Sequence, residues 1–74
     1  MRAELVDPLG LALTEIADKR CKRNTVALTY AFAIRQGETE FGEVNRAIIK
    51  RWSWSALEYT KARAWKIVEG KIQP

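Results

Sequence analysis

The sequence contains no histidine and a single cysteine, Cys21. Without imidazole there is no Ser-His-Asp triad and no histidine metal ligand, and one thiol forms neither an intrachain disulfide nor a cysteine-rich metal site. A chain of 74 residues buries only about 60% of the surface that its unfolded form exposes, which leaves little room for an enclosed active site. We therefore expect a binding protein without catalysis, cofactor or metal.

Long hydrophobic runs are also missing. The longest apolar stretch is Val26–Ile34, interrupted by Thr29, whereas a membrane-spanning helix needs about 20 residues. The beginning of the sequence, with Glu4, Asp7 and Pro8, differs from a secretory signal, which requires an apolar region. These features predict a cytoplasmic protein in a reducing compartment, with no membrane partner.

The remaining composition is that of a folded domain, with 47% hydrophobic and 30% charged residues. Apolar residues recur at helical spacing through most of the chain. We expect a single all-α domain over 1–74, a compact bundle of about four short helices with flexible ends at 1–6 and 71–74. The predicted helices span roughly 8–23, 25–36, 40–52 and 56–69.

Several helix ends carry recognisable signals. Asp7-Pro8 is typical of a helix start, because aspartate accepts free N–H groups and proline is tolerated at the first position. Gly37 and Gly70 each follow a helical pattern, as helix-terminating glycines do. Thr39 is a candidate cap for the third helix. The run 19–23 is expected to form the cationic carboxyl end of the first helix.

The segment 25–36 is ambiguous between helix and strand. Large apolar residues alternate as in a strand, yet Ala27, Ala31 and Ala33 favour a helix, and the sequence offers no second strand for pairing. We interpret the segment as a helix that is apolar nearly all round. Such a helix lies either at the centre of the fold or, through Val26–Ile34, at a homodimer interface.

The turn between the third and fourth helices suggests a function. Only Ser53-Trp54-Ser55 separates them, and Ser55 with Glu58 has the spacing of a capping box at the start of the fourth helix. Two helices joined by so short a turn have the helix-turn-helix arrangement, in which the second helix enters the major groove of DNA.

The fourth helix has an outward stripe suited to reading DNA. Tyr59, Arg63 and Lys66 follow one another at spacings of four and three, and arginine can donate two hydrogen bonds to guanine. The alternative is an ordinary solvated cationic face. Further residues are candidate phosphate contacts: Ser53, Ser55, Arg46, Lys50, Arg51, Lys19, Arg20, Lys22 and Arg23.

The charge distribution supports this interpretation. From Val44 to Val68 there are six cations and one anion, so 6 − 1 = +5, compared with 13 − 9 = +4 for the whole chain. We therefore expect a small basic DNA-binding protein, acting as a transcriptional regulator or an accessory factor in DNA transactions, with duplex DNA as its partner.

The alternative is a protein interaction module, such as a small inhibitor, an adaptor or a subunit of a larger assembly. All three tryptophans lie in the second half of the chain. Trp52 matches the apolar stripe of the third helix, whereas Trp54 either packs against the start of the fourth helix as a hydrophobic staple or is an exposed anchor for a protein partner. Binding of single strands by stacking is a weaker third hypothesis, because no RNA-binding motif is present.

Overall fold

The computed structural model describes residues 7–73, and these form four helices without a strand. The all-α architecture predicted from the sequence is confirmed. The helices are α1 (Pro8–Ala17), α2 (Arg23–Arg35), α3 (Gly42–Arg51) and α4 (Trp54–Val68). The first predicted flexible end, 1–6, lies outside the described residues, as does residue 74.

The helices are arranged in a closed ring around one apolar core. Going round the ring, α1 contacts α2, α2 contacts α4, α4 contacts α3, and α3 contacts α1. The contact between α2 and α4 is the most extensive of the four. Val26, Val44 and Ile48 are among the largest side chains at the centre of the core.

Helix α1 starts where the sequence predicts but ends earlier. Asp7 caps it, with Oδ1 accepting a hydrogen bond from the Leu9 N–H at 3.2 Å. The expected continuation to residue 23 is wrong, because the chain becomes extended at Asp18. There the Asp18 carboxylate accepts from the Arg20 N–H at 2.9 Å, a local turn that competes with further helix formation. The cationic run therefore lies mainly in the α1–α2 loop.

Helix α2 forms the two most extensive helix contacts of the ring, with α4 and α1, which agrees with the interpretation that its apolar pattern serves the fold. Val26, Tyr30 and Ala33 are buried, while Phe32 is the one exposed side chain of Val26–Ile34. The alternating pattern that resembled a strand arises because the helix contacts neighbours on most sides. Most of its apolar side chains therefore pack against other parts of the same chain.

Tyr30 links α2 to α3 across the ring. Its ring stacks on Phe41 with the two centroids 4.5 Å apart, and its hydroxyl donates to Asn45 Oδ1 at 2.7 Å. Burial raises the pKa of Tyr30, and the hydrogen bond with Asn45 opposes part of this shift. Phe41 also precedes the first residue of α3, so Thr39 does not cap that helix.

The start of α4 differs from the predicted capping box. Ser53, not Ser55, is the cap, and its Oγ accepts a hydrogen bond from the Ala56 N–H at 3.1 Å. Helix α4 consequently begins at Trp54, and Ser55 lies exposed in its first turn. The connection from α3 is Trp52-Ser53, shorter than the predicted three-residue turn. A helix-turn-helix role for this hairpin stays a prediction.

Two glycines end helices as predicted. Gly37 after α2 and Gly70 after α4 have φ of 85° and 76°, a left-handed conformation that other residues rarely adopt. Beyond Gly70 the Lys71 N–H donates to the Lys66 carbonyl at 2.8 Å, and Ile72 packs against the core. The described part of 71–74, which we expected to be a flexible end, therefore has contacts with the fold.

Candidate nucleic-acid interface

A cleft of about 540 Å³ lies where the start of α2 meets the end of α3 and one side of α4. The α1–α2 loop and the first turn of α2 form one wall, and Trp52 and Tyr59 form an aromatic wall. The lining residues are Cys21, Lys22, Arg23, Asn24, Trp52 and Tyr59. None of them is acidic, so the cleft combines two cations with two aromatic rings.

The first turn of α2 adds hydrogen-bond donors to the cleft. Lys22 occupies the cap position without forming a side-chain cap, and no acidic residue lies in the turn. Among the described residues, the backbone N–H groups of Arg23 and Asn24 have no acceptor. This end of the helix carries partial positive charge, which reinforces the charge of Lys22 and Arg23.

Both aromatic rings are held by arginines. The Arg23 guanidinium carbon lies 5.8 Å from the centre of the Tyr59 ring, and that of Arg51 lies 4.5 Å from the centre of the Trp52 ring. Arg51 does not line the cleft, so it supports Trp52 from outside. Attraction between a cation and an aromatic face at these distances restrains the rings where they border the cleft.

Cys21 contributes no negative charge to the cleft at neutral pH. Burial raises the pKa of its thiol, and the carboxylate of Glu15 raises it further. The Arg51 guanidinium acts in the opposite direction but does not reverse the shift. Because the thiol stays protonated, the cations of the cleft have no thiolate to neutralise them.

Arg51 has a structural position rather than the outward one expected of a phosphate contact. Its two terminal nitrogens donate to the carbonyls of Ile16, Asp18, Lys19 and Cys21, at 2.6, 2.5, 2.9 and 3.3 Å. These bonds fasten the α1–α2 loop to the end of α3. Arg46 and Lys50, which we also predicted to contact phosphates, lie exposed on the outer side of α3.

Of the predicted stripe on α4, Tyr59 lines the cleft, whereas Arg63 and Lys66 do not. Tyr59 is 48% exposed, Lys66 is exposed, and Arg63 is half-buried. The Nε–H of Arg63 donates to the side-chain oxygen of Asn24 on α2, which leaves the two terminal nitrogens without a recorded partner among the described residues. The stripe and the start of α2 thus form one continuous surface.

The cationic run 19–23 divides between two environments. Lys22 and Arg23 reach the cleft. Arg20 is exposed and lies 3.5 Å from the Asp18 carboxylate, and Lys19 is exposed in the loop. The structure therefore brings together four predicted residues from two distant segments: Lys22, Arg23, Tyr59 and Arg63.

A second exposed edge of α4 carries tryptophan. Trp54 is 64% exposed and Trp65 is 49% exposed, so the expected staple role of Trp54 is wrong. The physical reason is the cap at Ser53, which makes Trp54 the first residue of the helix instead of a residue before it. Eleven residues separate the two rings, close to three helical turns, so they share one edge roughly 16 Å apart along the axis.

Some site residues have no clear signal in the sequence. Asn24 and Trp52 join the cleft only because distant helices pack together. Trp52, which we expected to be a core residue, does pack against the core, but it is half-buried and also lines the cleft. Trp65 is different, because its spacing from Trp54 indicates a shared helix edge. That pairing was not predicted from the sequence.

Residues 7–73 contain neither a cluster of potential metal ligands nor a helix suited to span a membrane. No group of three or more cysteine, aspartate or glutamate side chains is arranged to hold a metal ion in this part of the chain. None of its helices combines the length and apolar character needed to cross a membrane.

Comparisons with known proteins do not assign the chain to a family. Protein-family models, curated proteins and solved structures were each searched, and none matched this sequence or fold.

Proposed function

We propose that this chain is a nucleic-acid-binding module that holds duplex DNA through the surface formed by the start of α2 and the stripe on α4. The observation that carries the proposal is that Lys22 and Arg23 line a cleft without an acidic lining residue, while Arg63 on α4 is hydrogen-bonded to Asn24 of the same lining. The net charge of the chain is +4, and three of its cations, Lys22, Arg23 and Arg63, lie at or beside this cleft. Such concentration of cations is typical of phosphate recognition.

In this proposal, Lys22, Arg23 and the start of α2 hold backbone phosphates. Tyr59, Arg63 and Lys66 on α4 contact base edges or further phosphates in the groove. The module acts by occupying and positioning DNA, as a transcriptional regulator or an accessory factor, and performs no chemistry. Helix α4 would be the recognition helix of the α3–α4 hairpin.

Salt-dependent binding to random duplex DNA tests the proposal. We expect the association constant to fall steeply with salt, and Arg63→Gln/Lys66→Gln to reduce the log–log slope by about 1 to 2. Arg46→Gln/Lys50→Gln changes the net charge equally on the outer side of α3 and serves as the matched control. Fluorescence anisotropy of labelled duplex at several salt concentrations measures both variants.

The outcomes separate three cases. A parent protein without salt-sensitive binding would contradict the proposal. Equal loss in both double variants would mean that net charge, not this surface, attracts DNA. A larger loss in Arg46→Gln/Lys50→Gln would move the interface to α3.

A protein interaction module is the second candidate function. The observation that favours it is the pair of exposed rings, Trp54 and Trp65, on one edge of α4. Tryptophan is enriched among residues that dominate protein interfaces. Loss of a captured protein partner in Trp54→Ala/Trp65→Ala, with DNA binding unchanged, would support this function for that edge.

A further inference from the structure

We propose that the cleft between α2 and α4 binds a single unpaired nucleotide, with its base against Trp52 and Tyr59 and its phosphate at the first turn of α2. The inference deepens the proposed nucleic-acid function, on which it rests, by naming the unit that enters the cleft. It predicts that a duplex is held at this surface through its phosphates, and that a single strand, which adds a stacked base, binds more tightly. A free mononucleotide has the same base and phosphate groups and could therefore bind in the same way.

The size of the cleft suits such a unit. At about 540 Å³ it falls within the range of roughly 300 to 1,000 Å³ that is usual for small-molecule sites. A duplex phosphate backbone has no planar group that stacks on the aromatic residues of this cleft. A splayed nucleotide presents both a planar base and an anionic phosphate.

The two walls of the cleft match these two parts. Trp52 and Tyr59 supply π-faces, and stacking on such faces is tolerant of base identity because every base has a π-face. Lys22 and Arg23 line the same cleft, beside the backbone N–H groups of Arg23 and Asn24, which have no acceptor among residues 7–73, and this combination suits a phosphate. The cleft therefore offers cations next to aromatic rings, with the Arg23 guanidinium over the Tyr59 ring.

Contacts within the chain hold several side chains around the cleft in place. Arg51 fixes the α1–α2 loop through four backbone carbonyls and supports the Trp52 ring, while Arg63 is hydrogen-bonded to Asn24. Side chains held in this way lose little further freedom when a ligand binds. That preorganisation is a general source of affinity.

Two measurements on the full chain test the inference. In the first, fluorescence anisotropy compares labelled oligothymidylate with a labelled duplex of equal length. We expect tighter binding of the single strand, and a loss of roughly five- to hundredfold in Tyr59→Ala, the range for removal of one stacking partner. Trp65→Ala, which removes an exposed ring from the other edge of α4, is expected to change this affinity less than twofold.

In the second measurement, amide and indole NMR signals are followed during titration with thymidine monophosphate, thymidine or inorganic phosphate. We expect the monophosphate to shift the signals of Arg23, Asn24 and the Trp52 indole at lower concentration than either part alone. Lys22 is exposed, so Lys22→Gln should leave the fold intact. We expect this variant to need a higher concentration of the monophosphate for the same signal shifts. Equal affinity of the mononucleotide and the strand would identify a free nucleotide as the ligand.

Failure of this inference can be told apart from failure of the proposed function. Salt-dependent duplex binding without a single-strand preference, and without shifts from the mononucleotide, would overturn the cleft proposal and leave duplex binding in place. Equal losses in Tyr59→Ala and Trp65→Ala would also overturn it. Absence of binding to either nucleic acid would overturn both proposals.

Discussion

Arg51 shows how one residue can connect three parts of this fold. It lies at the last position of α3, donates to carbonyls at the end of α1 and in the α1–α2 loop, and stacks on Trp52. The planar guanidinium presents five donors in a fixed geometry, and a lysine ammonium does not reproduce it. The residue therefore contributes to the fold more than its surface charge suggests.

Arg51→Met is expected to lower the free energy of unfolding by about 2 to 3 kcal/mol, because the charged donor is lost from four carbonyls. Urea denaturation followed by circular dichroism measures the change. Lys50→Met, on the exposed outer side of α3, is the matched control and should remain within about 0.5 kcal/mol of the parent. Similar values for the two variants would contradict the structural role of Arg51.

Tyr30 should make stability depend on alkaline pH. Because burial raises its pKa in the folded state above the unfolded value of about 10, the folded state holds the phenolic proton more tightly. This contribution is fully present below pH of about 10 and is lost as pH rises through the folded pKa. We expect the free energy of unfolding to fall in that range.

Tyr30→Phe should remove much of this alkaline decline and cost about 1 kcal/mol at neutral pH through the lost bond to Asn45. Urea midpoints measured between neutral and strongly alkaline pH provide the test. Tyr59→Phe removes an exposed phenol and should leave the decline in place. An unchanged alkaline decline in Tyr30→Phe would contradict the assignment.

At the level of single elements, α4 illustrates how closely two start signals can compete. Ser53 and Ser55 are both good caps, and the Glu58 that follows Ser55 makes the later start look stronger in the sequence. The fold selects Ser53, which adds Trp54 and Ser55 to the helix. This choice moves the ring of Trp54 to the exposed edge that also carries Trp65.

Alanine substitutions distinguish the two caps. Ser53→Ala should destabilise the protein by about 1 kcal/mol through loss of the bond to the Ala56 N–H. Ser55→Ala should be close to neutral or slightly stabilising, because alanine is the better helix former. Urea denaturation measures the free energy of unfolding of both variants. A larger destabilisation by Ser55→Ala than by Ser53→Ala would indicate that Ser55, not Ser53, caps α4.

The helix ends were predictable where the sequence carries strong local signals. Asp7-Pro8, Gly37 and Gly70 mark helix ends through their own backbone and hydrogen-bonding chemistry, and the structure confirms each. The end of α1 was not predictable, because it depends on the Asp18 turn and on Arg51 from a distant helix. The cleft was predictable only in part, since it requires the packing that brings Asn24 and Trp52 together.

At the scale of the whole molecule, the ring order explains why α2 is apolar on most sides. It contacts α1 and α4 along its length and reaches α3 through Tyr30. Little apolar surface of α2 remains for contact with a second copy of the chain. Of Val26–Ile34, Phe32 is the exposed residue, at 42%.

We therefore expect the chain to sediment as a monomer, although homodimerisation through Val26–Ile34 was one interpretation of the sequence. A stable interface buries about 1,200 to 2,000 Å², far more than one partly exposed phenylalanine provides. Analytical ultracentrifugation of the parent, Phe32→Lys and the equally exposed control Leu11→Lys tests this. A parent dimer that only Phe32→Lys dissociates would establish the α2 interface.

The position of the cleft has a consequence for stability. Its cationic wall belongs to the α1–α2 half of the chain and its aromatic wall to the α3–α4 half, so it exists only while the two halves are docked. A ligand that touches both walls binds the docked form alone and shifts the folding equilibrium towards it. When the concentration of free ligand is a hundred times its dissociation constant, binding raises the free energy of unfolding by about 2.7 kcal/mol. A ligand bound in the cleft would thus connect the two halves of the chain and add to the stability that a small core provides.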